Sequence, residues 1–285
     1  MIPSLHPVLL LLHGGSFSWT TFSVHPSTVI GTVLFTGLYL WGIGPARRRW
    51  ALAPLPPETW RIWSFLSASA LLLVTLNGPL HDLSDSYLFS AHMVQHLILT
   101  LLIPPLWLLG CPAWLLRPLI RPRAIRATAE FLTHPVVAFA IYNAIFIGWH
   151  VPFFYEAALE HHGWHIVEHL LFIAAAVILW WPAIDPLREL SRMGPPMRLV
   201  YLFAVGIPMN VVAALITLSD TILYPWYAVQ PRVLGLSPLA DQQLGGLIMW
   251  VPGGLSWWVA ISIIYFRWAQ REEEIEEAAR HGAVA

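Results

Sequence analysis

Apolar residues run along this chain in blocks of about 20, the length a helix needs to cross the hydrocarbon layer of a bilayer. Seven blocks are legible: Ser27–Pro45, Trp60–Leu80, Tyr87–Leu109, His134–Val151, Trp164–Ile184, Met197–Leu218 and Gln242–Trp268. Helix-breaking residues separate them, namely Pro54, Pro56 and Pro57, then Asn77-Gly78-Pro79, Gly110 with Pro112, Pro182 and Pro186, Pro195-Pro196, and Pro225 with Pro231. No repeat of fixed period is evident. The pattern predicts an all-α integral membrane protein, a bundle of about seven transmembrane helices in one domain. The expected divisions are an outer N-terminal segment over 1–26, the seven-helix domain over 27–268 and a charged, solvated helical tail over 269–285.

Charge fixes an expected orientation. All 15 basic residues are arginine. Fourteen of them fall after spans 1, 3, 5 and 7, and Arg232 alone falls on the other side. The positive-inside rule makes the arginine side cytoplasmic, with the N-terminus outside and the C-terminus inside. Without lysine there is no Schiff-base chemistry, lysine general base or P-loop. With Cys111 the only cysteine there is no internal disulfide, CxxC pair or Cys-rich metal site. A net charge of −1 gives no reason to expect nucleic-acid binding. The first basic residue is Arg47, so residues 1–13 lack the positive n-region of a signal peptide and read as a short outer segment.

Histidine has the opposite bias. Of 13 histidines, only His134 and His281 fall on the arginine side. Span 3 carries His92 and His96, and span 5 carries His165 and His169; the i, i+4 spacing puts each pair on one helix face. Gln95 shares the first stripe and Glu168 lies beside the second pair. Span 4 ends at His150, span 2 ends just before His81, and span 7 begins near Asp241. The topology therefore brings these groups to a common depth near one surface. Ionisable groups at membrane depth are costly unless paired, and so are functional candidates. Two HxxxH pairs can each chelate a metal ion, and imidazole suits copper, zinc, iron and nickel. The expected ligands are His92, His96, His150, His165 and His169, with His81, Gln95, Glu168 and Asp241 around them to orient or neutralise. The bland reading is that these histidines tie helices together by hydrogen bonds. Elsewhere, Gly245-Gly246 and Gly253-Gly254 read as close-packing positions. Met209 and Met249 read as core filler, Asn210 as an interhelical hydrogen-bonding group, and Tyr224, Trp226 and Tyr227 as an aromatic belt.

Several stretches together resemble the CtaG family of cytochrome c oxidase assembly factors, the polytopic type associated with caa3 oxidase. They are Ser90-Ala91-His92-Met93-Val94-Gln95-His96 with Pro104-Pro105 and Gly110-Cys111-Pro112; Trp149-His150-Val151-Pro152 with Tyr155; His165-Ile166-Val167-Glu168-His169-Leu170 with Trp180-Trp181-Pro182; and Asp241-Gln242-Gln243-Leu244-Gly245-Gly246-Leu247-Ile248-Met249-Trp250. The resemblance covers spans 2 to 7. It implies a bacterial plasma-membrane protein, not an enzyme, that helps to assemble a haem–copper oxidase and has an oxidase subunit as partner. It also brings copper forward as the metal. His6, His13 and His25 match nothing in it. Two other readings come from the histidines themselves: a haem b protein with axial histidines from spans 3 and 5, and a metal-dependent intramembrane hydrolase with Glu168 as general base, which lacks an HExxH.

Overall fold

The computed structural model describes residues 22–190 and 193–282; among these the chain is helical, with no β-strand. His6 and His13 lie outside the described residues. The principal helices are α1 (Pro26–Arg49), α2 (Thr59–Thr75), α3 (Pro79–Ser86), α4 (Phe89–Gly110), α5 (Arg123–Leu132), α6 (Pro135–His150), α7 (Pro152–Glu160), α8 (His162–Ile184), α9 (Pro195–Thr217), α10 (Pro225–Ala228) and α11 (Pro238–His281). Five of them, α1, α4, α8, α9 and α11, are long and apolar enough to cross a membrane, and the count rises to 7 if the bent pairs α2/α3 and α5/α6 are each one span.

The expected second span, Trp60–Leu80, is not one straight rod. It stops at Thr75, and α3 leaves at 50°. Gly78 sits at φ 73, a conformation that an L side chain rarely adopts, and a Cβ there would lie 2.6 Å from the Phe22 ring. Pro79 then opens α3 at the helix position where a missing N–H costs nothing. The break aims α3, with His81 and Asp85, across the end of the bundle rather than out of it. At the other extreme, α11 runs unbroken for 44 residues, past Trp268 into the charged tail.

Proline also shapes the interior. Pro104 and Pro105 lie in α4, and the segment just before them, Ile98–Leu102, widens into a π turn. Pro104 cannot donate to the Thr100 carbonyl, and the Trp180 indole of α8 supplies that bond at 2.9 Å. The π turns Gly42–Ala46 and Met249–Gly253 likewise contain Pro45 and Pro252.

Helix α4 is central, packed against α2, α8 and α11, while α9 lies on α11 and α6 on α8. The glycines of α11 permit the closest approaches. A Cβ on Gly245 would meet the Phe89 ring at 2.3 Å, and one on Gly246 would meet Thr217 Oγ1 at 2.5 Å. Met209 and Met249 fill the core between these helices. Asn210, by contrast, has no hydrogen bond to a neighbouring helix; its Oδ1 is unpartnered in a crevice that Trp257 and Gly254 also line. Large apolar side chains such as Leu34, Val211, Leu215 and Val259 are turned outward and more than half exposed, as a hydrocarbon solvent requires.

The two ends of the bundle differ in chemistry. At one end a cavity of about 940 Å³ is lined by Arg61, Arg117, Arg188, Arg198, Arg267 and Arg271. At the other end, where α4 and α8 begin and α6 finishes, are the histidines.

Candidate metal centre

The helix starts decide where the imidazoles stand. In α4 the first two residues, Phe89 and Ser90, leave backbone N–H groups without intrahelical partners. Asp241, from the first turn of α11, accepts both, at 2.8 and 3.2 Å, and also the Ser90 hydroxyl at 2.5 Å. One buried carboxylate thus caps a helix from another chain segment, and α4 is held in rotation as well as depth. The sequence set Asp241 around the cluster; its contacts are to the start of α4, one turn before His92. In α8 the face carrying His165, Glu168 and His169 is buried while Trp164, Ile166, Val167 and Leu170 face out.

These faces converge. Ligand atoms of His92, His165 and His169 lie within 4.8 Å of one another, and so do those of His92, His96 and Glu168. The two groups share His92. His92 Nε2 and His96 Nε2 are 2.7 Å apart, and His96 Nε2 is 3.7 Å from Glu168 Oε1. The His150 ring centroid is 6.3 Å from that of His96. All six side chains are at most 7% exposed, so bulk water does not reach them.

The hydrogen bonds assign the tautomers. Tyr227 donates its hydroxyl proton to the Ser84 carbonyl at 2.5 Å, so towards His92 Nδ1, 3.0 Å away, it can only accept. His92 therefore carries its proton on Nδ1 and turns a lone pair on Nε2 into the cluster. His96 Nε2–H donates to that lone pair, and its own Nδ1 is left without a partner. His150 donates Nδ1–H to the Phe146 carbonyl at 2.7 Å, and its Nε2 is unpartnered. His165 turns Nδ1 to Asp85 Oδ2 at 3.4 Å, and its Nε2 is again unpartnered. His169 Nε2 and both oxygens of Glu168 complete the set. Leaving so many buried acceptors unmade costs about 1–3 kcal/mol each. An oxygen on one ring nitrogen and a lone pair on the other is how metal-binding histidines are held. The donor set fits a cation.

Comparison with known proteins agrees with the sequence motifs. The sequence profile of the cytochrome c oxidase caa3 assembly factors (Caa3_CtaG) matches residues 37–271. The chain belongs to that family. All nine residues singled out in the sequence lie inside the match. Among curated relatives are uncharacterized proteins of Mycobacterium bovis and Mycobacterium tuberculosis, each 28% identical over 263 residues, covering 86% of this chain and 39% of the relative. A Mycobacterium leprae protein is 27% identical over 246 residues, covering 76% and 36%. The chain thus spans about two-fifths of the length of these relatives. No solved structure matches.

Beside the cluster, Gln95 is fully buried. It donates to the Thr75 carbonyl at 2.9 Å, lies 3.0 Å from His81 Nδ1, and accepts from Ser84. It ties α3 to α4. His81 Nε2 lies 3.3 Å from Asp85 Oδ2, so Asp85 bridges His81 and His165. Sequence reading missed Asp85, although His81 and Asp85 have the same i, i+4 spacing as the histidine pairs. It also missed Tyr227. Tyr224 and Tyr227 are not a belt at the lipid interface: each is 2% exposed. The short helix α10 folds inward, pinned where the Trp226 N–H meets the Glu156 carboxylate and where Arg232 reaches the Tyr227 carbonyl.

Proposed function

We propose that the protein takes up a copper ion at this cluster and passes it to a subunit of a haem–copper cytochrome c oxidase during assembly. It acts as a carrier, not a catalyst. The observation that carries this reading is the set of buried ring nitrogens: those of His92 and His150, whose Nδ1 atoms are each held by an oxygen, of His165, whose Nδ1 faces Asp85 at 3.4 Å, and of His96 and His169. Imidazole accepts several metals, and copper is chosen because the family serves an oxidase that contains it. Glu168 serves as a further ligand or as the counter-charge to the ion. Removal of ligands by an acceptor is easier from a set of shared, imperfectly closed groups than from a finished tetrahedral cage, and before both bind one ion at about 2.0–2.1 Å His92 and His96 have still to part slightly and His96 to shift its proton from Nε2 to the unpartnered Nδ1.

In this reading the protein is a multi-pass protein of a bacterial plasma membrane, with seven spans. The arginine end faces the cytoplasm and the histidine end faces outward, where copper is delivered. Haem b with axial histidines is the competing cofactor. It requires a slot for a porphyrin between α4 and α8, and the side chains of Glu168 and His169 stand in that space close to His92 and His96.

The test is metal analysis of purified protein. About one copper per chain is expected at this centre, with loss of it in His92→Ala/His96→Ala and no Soret band in either. Equal copper in wild type and variant, or a Soret band that the variant lacks, overturns the proposal.

A further inference from the structure

The buried cluster has a line of imidazoles leading to it from the surface. The segment before α1 is pinned to the break between α2 and α3: the His25 N–H donates to Asn77 Oδ1 at 2.7 Å, the Gly78 N–H to the Ser23 carbonyl at 2.8 Å, and the Ser23 hydroxyl to Asp82 Oδ1 at 2.5 Å. The result is that the half-buried His25 ring stands edge-on to His81, centroids 4.4 Å apart, and 6.1 Å from the exposed ring of His162 at the start of α8. From His81 the next ring is His165 at 6.1 Å, then His169 at 4.2 Å from His165. Two imidazoles bound to one ion at about 2.0 Å hold their centroids roughly 5–6 Å apart. The two 6.1 Å intervals are near that span and the 4.4 and 4.2 Å ones are shorter, and the rings pass from exposed at His162 through half-buried at His25 to buried at His81, His165 and His169.

We infer that His25 and His162, with His81 and Asp85 behind them, form a receiving site for copper at the histidine end, from which the ion is handed through His165 to the buried cluster. The inference rests on the copper reading above and adds an entrance to it. The transfer is ligand exchange. The ion binds first to the imidazoles of His25 and His162. His81 then replaces one of them, with the Asp85 carboxylate 3.3 Å away as counter-charge to the ion. His165 takes the ion in turn as the bond to His81 breaks. Each new metal–nitrogen bond forms as an old one breaks, and no electron moves. Asp85, which also faces His165 at 3.4 Å, lowers the cost of the cation at the step between surface and interior. Asn77 and Gly78, which hold His25 in place, are positioning residues.

The experiment uses the full chain in lipid nanodiscs, metal-free, mixed with Cu(I) held by a coloured chelator. Uptake is followed by stopped-flow absorbance and the final content by metal analysis. For His25→Gln/His162→Gln we expect one ion fewer per chain and uptake slowed by roughly tenfold or more, the lower range seen when a ligand shell is disturbed. The buried ion should still load at long times, which also shows that the variant is folded. His92→Ala/His96→Ala should show the reverse: rapid capture at the surface and loss of the buried ion. Uptake by the His25/His162 variant at the wild-type rate and content overturns the receiving site and leaves the buried centre standing. Loss of every ion from that variant also overturns it, because the two residues would then hold the cluster together rather than feed it. A wild-type protein that binds no Cu(I) overturns both readings.

Discussion

Tyr227→Phe isolates the part of the cluster that orients a ligand. The ring stays, and with it the packing on Phe89 and Tyr155 at centroid distances of 6.0 and 6.3 Å. What is lost is one oxygen, which accepts from His92 Nδ1 and from the Tyr155 hydroxyl at 3.3 Å and donates to the Ser84 carbonyl. All three partners then lose a buried bond, a cost to the fold of about 1–3 kcal/mol each, and the Tyr155 loss, like that of Ser84, does not depend on metal. The Ser84 loss is the same with or without metal and cancels from affinity. The His92 loss does not cancel. Without an acceptor for its Nδ1 proton the ring is free to turn or to change tautomer, and the metal-bound arrangement loses its support. Removing such a partner weakens metal binding by about 10–100-fold, or about 1.4–2.8 kcal/mol. The assay is competition against a Cu(I) chelator of known affinity, repeated in a His92→Ala background. The phenylalanine should weaken binding in the wild type and have little effect when His92 is absent, since the two changes act through one contact. Affinity unchanged by Tyr227→Phe, or weakened equally in both backgrounds, refutes the tautomer assignment.

Three further outcomes are expected. A strain carrying His165→Ala/His169→Ala should keep normal amounts of the protein in its membrane and have low oxidase activity, partly restored by added copper; normal oxidase activity would remove the delivery role, and disappearance of the protein would make the histidines interhelical struts. Asp241→Ala should lower the thermal unfolding midpoint in detergent, because two buried N–H groups lose their acceptor at about 1–3 kcal/mol each, with Asp241→Asn intermediate; a midpoint equal to the wild type for Asp241→Ala would show the cap to be dispensable. Reporter fusions should place Arg121 in the cytoplasm and Glu160 outside, and the opposite result would reverse the membrane orientation and the side from which copper enters.

What the sequence made legible follows from what is local. The pairs His92/His96 and His165/His169 could be put on common faces because a helix fixes i, i+4 geometry whatever surrounds it. The family could be named because the motifs around those pairs are contiguous. The glycines of α11 were readable because only a small residue lets two helix backbones so close. Asp85 was not found, because Asn77-Gly78-Pro79 reads as the end of a span and the following residues as a loop. The 50° break instead turns them into α3 and lays them over the cluster. Tyr227 was assigned to the interface because no periodicity governs the segment around α10; its inward course is set by contacts with Glu156 and Ser84, far away in the chain. His25 had no interpretable setting until the Asn77 side chain was seen to hold its backbone.

The cap on α4 has a consequence for how the molecule is made. Its carboxylate arrives 152 positions after the N–H group it accepts. A ribosome that has delivered α4, α6 and α8 has supplied every histidine of the buried cluster, and α4 is already tied to α3 through Gln95 and to α8 through Trp180, yet its first turn still begins with bare amide protons. Only when the first turn of α11 emerges are those protons accepted and the start of α4, one turn before His92, closed off. A chain interrupted before α11 would therefore carry all the imidazoles of the cluster on a helix whose first turn is uncapped.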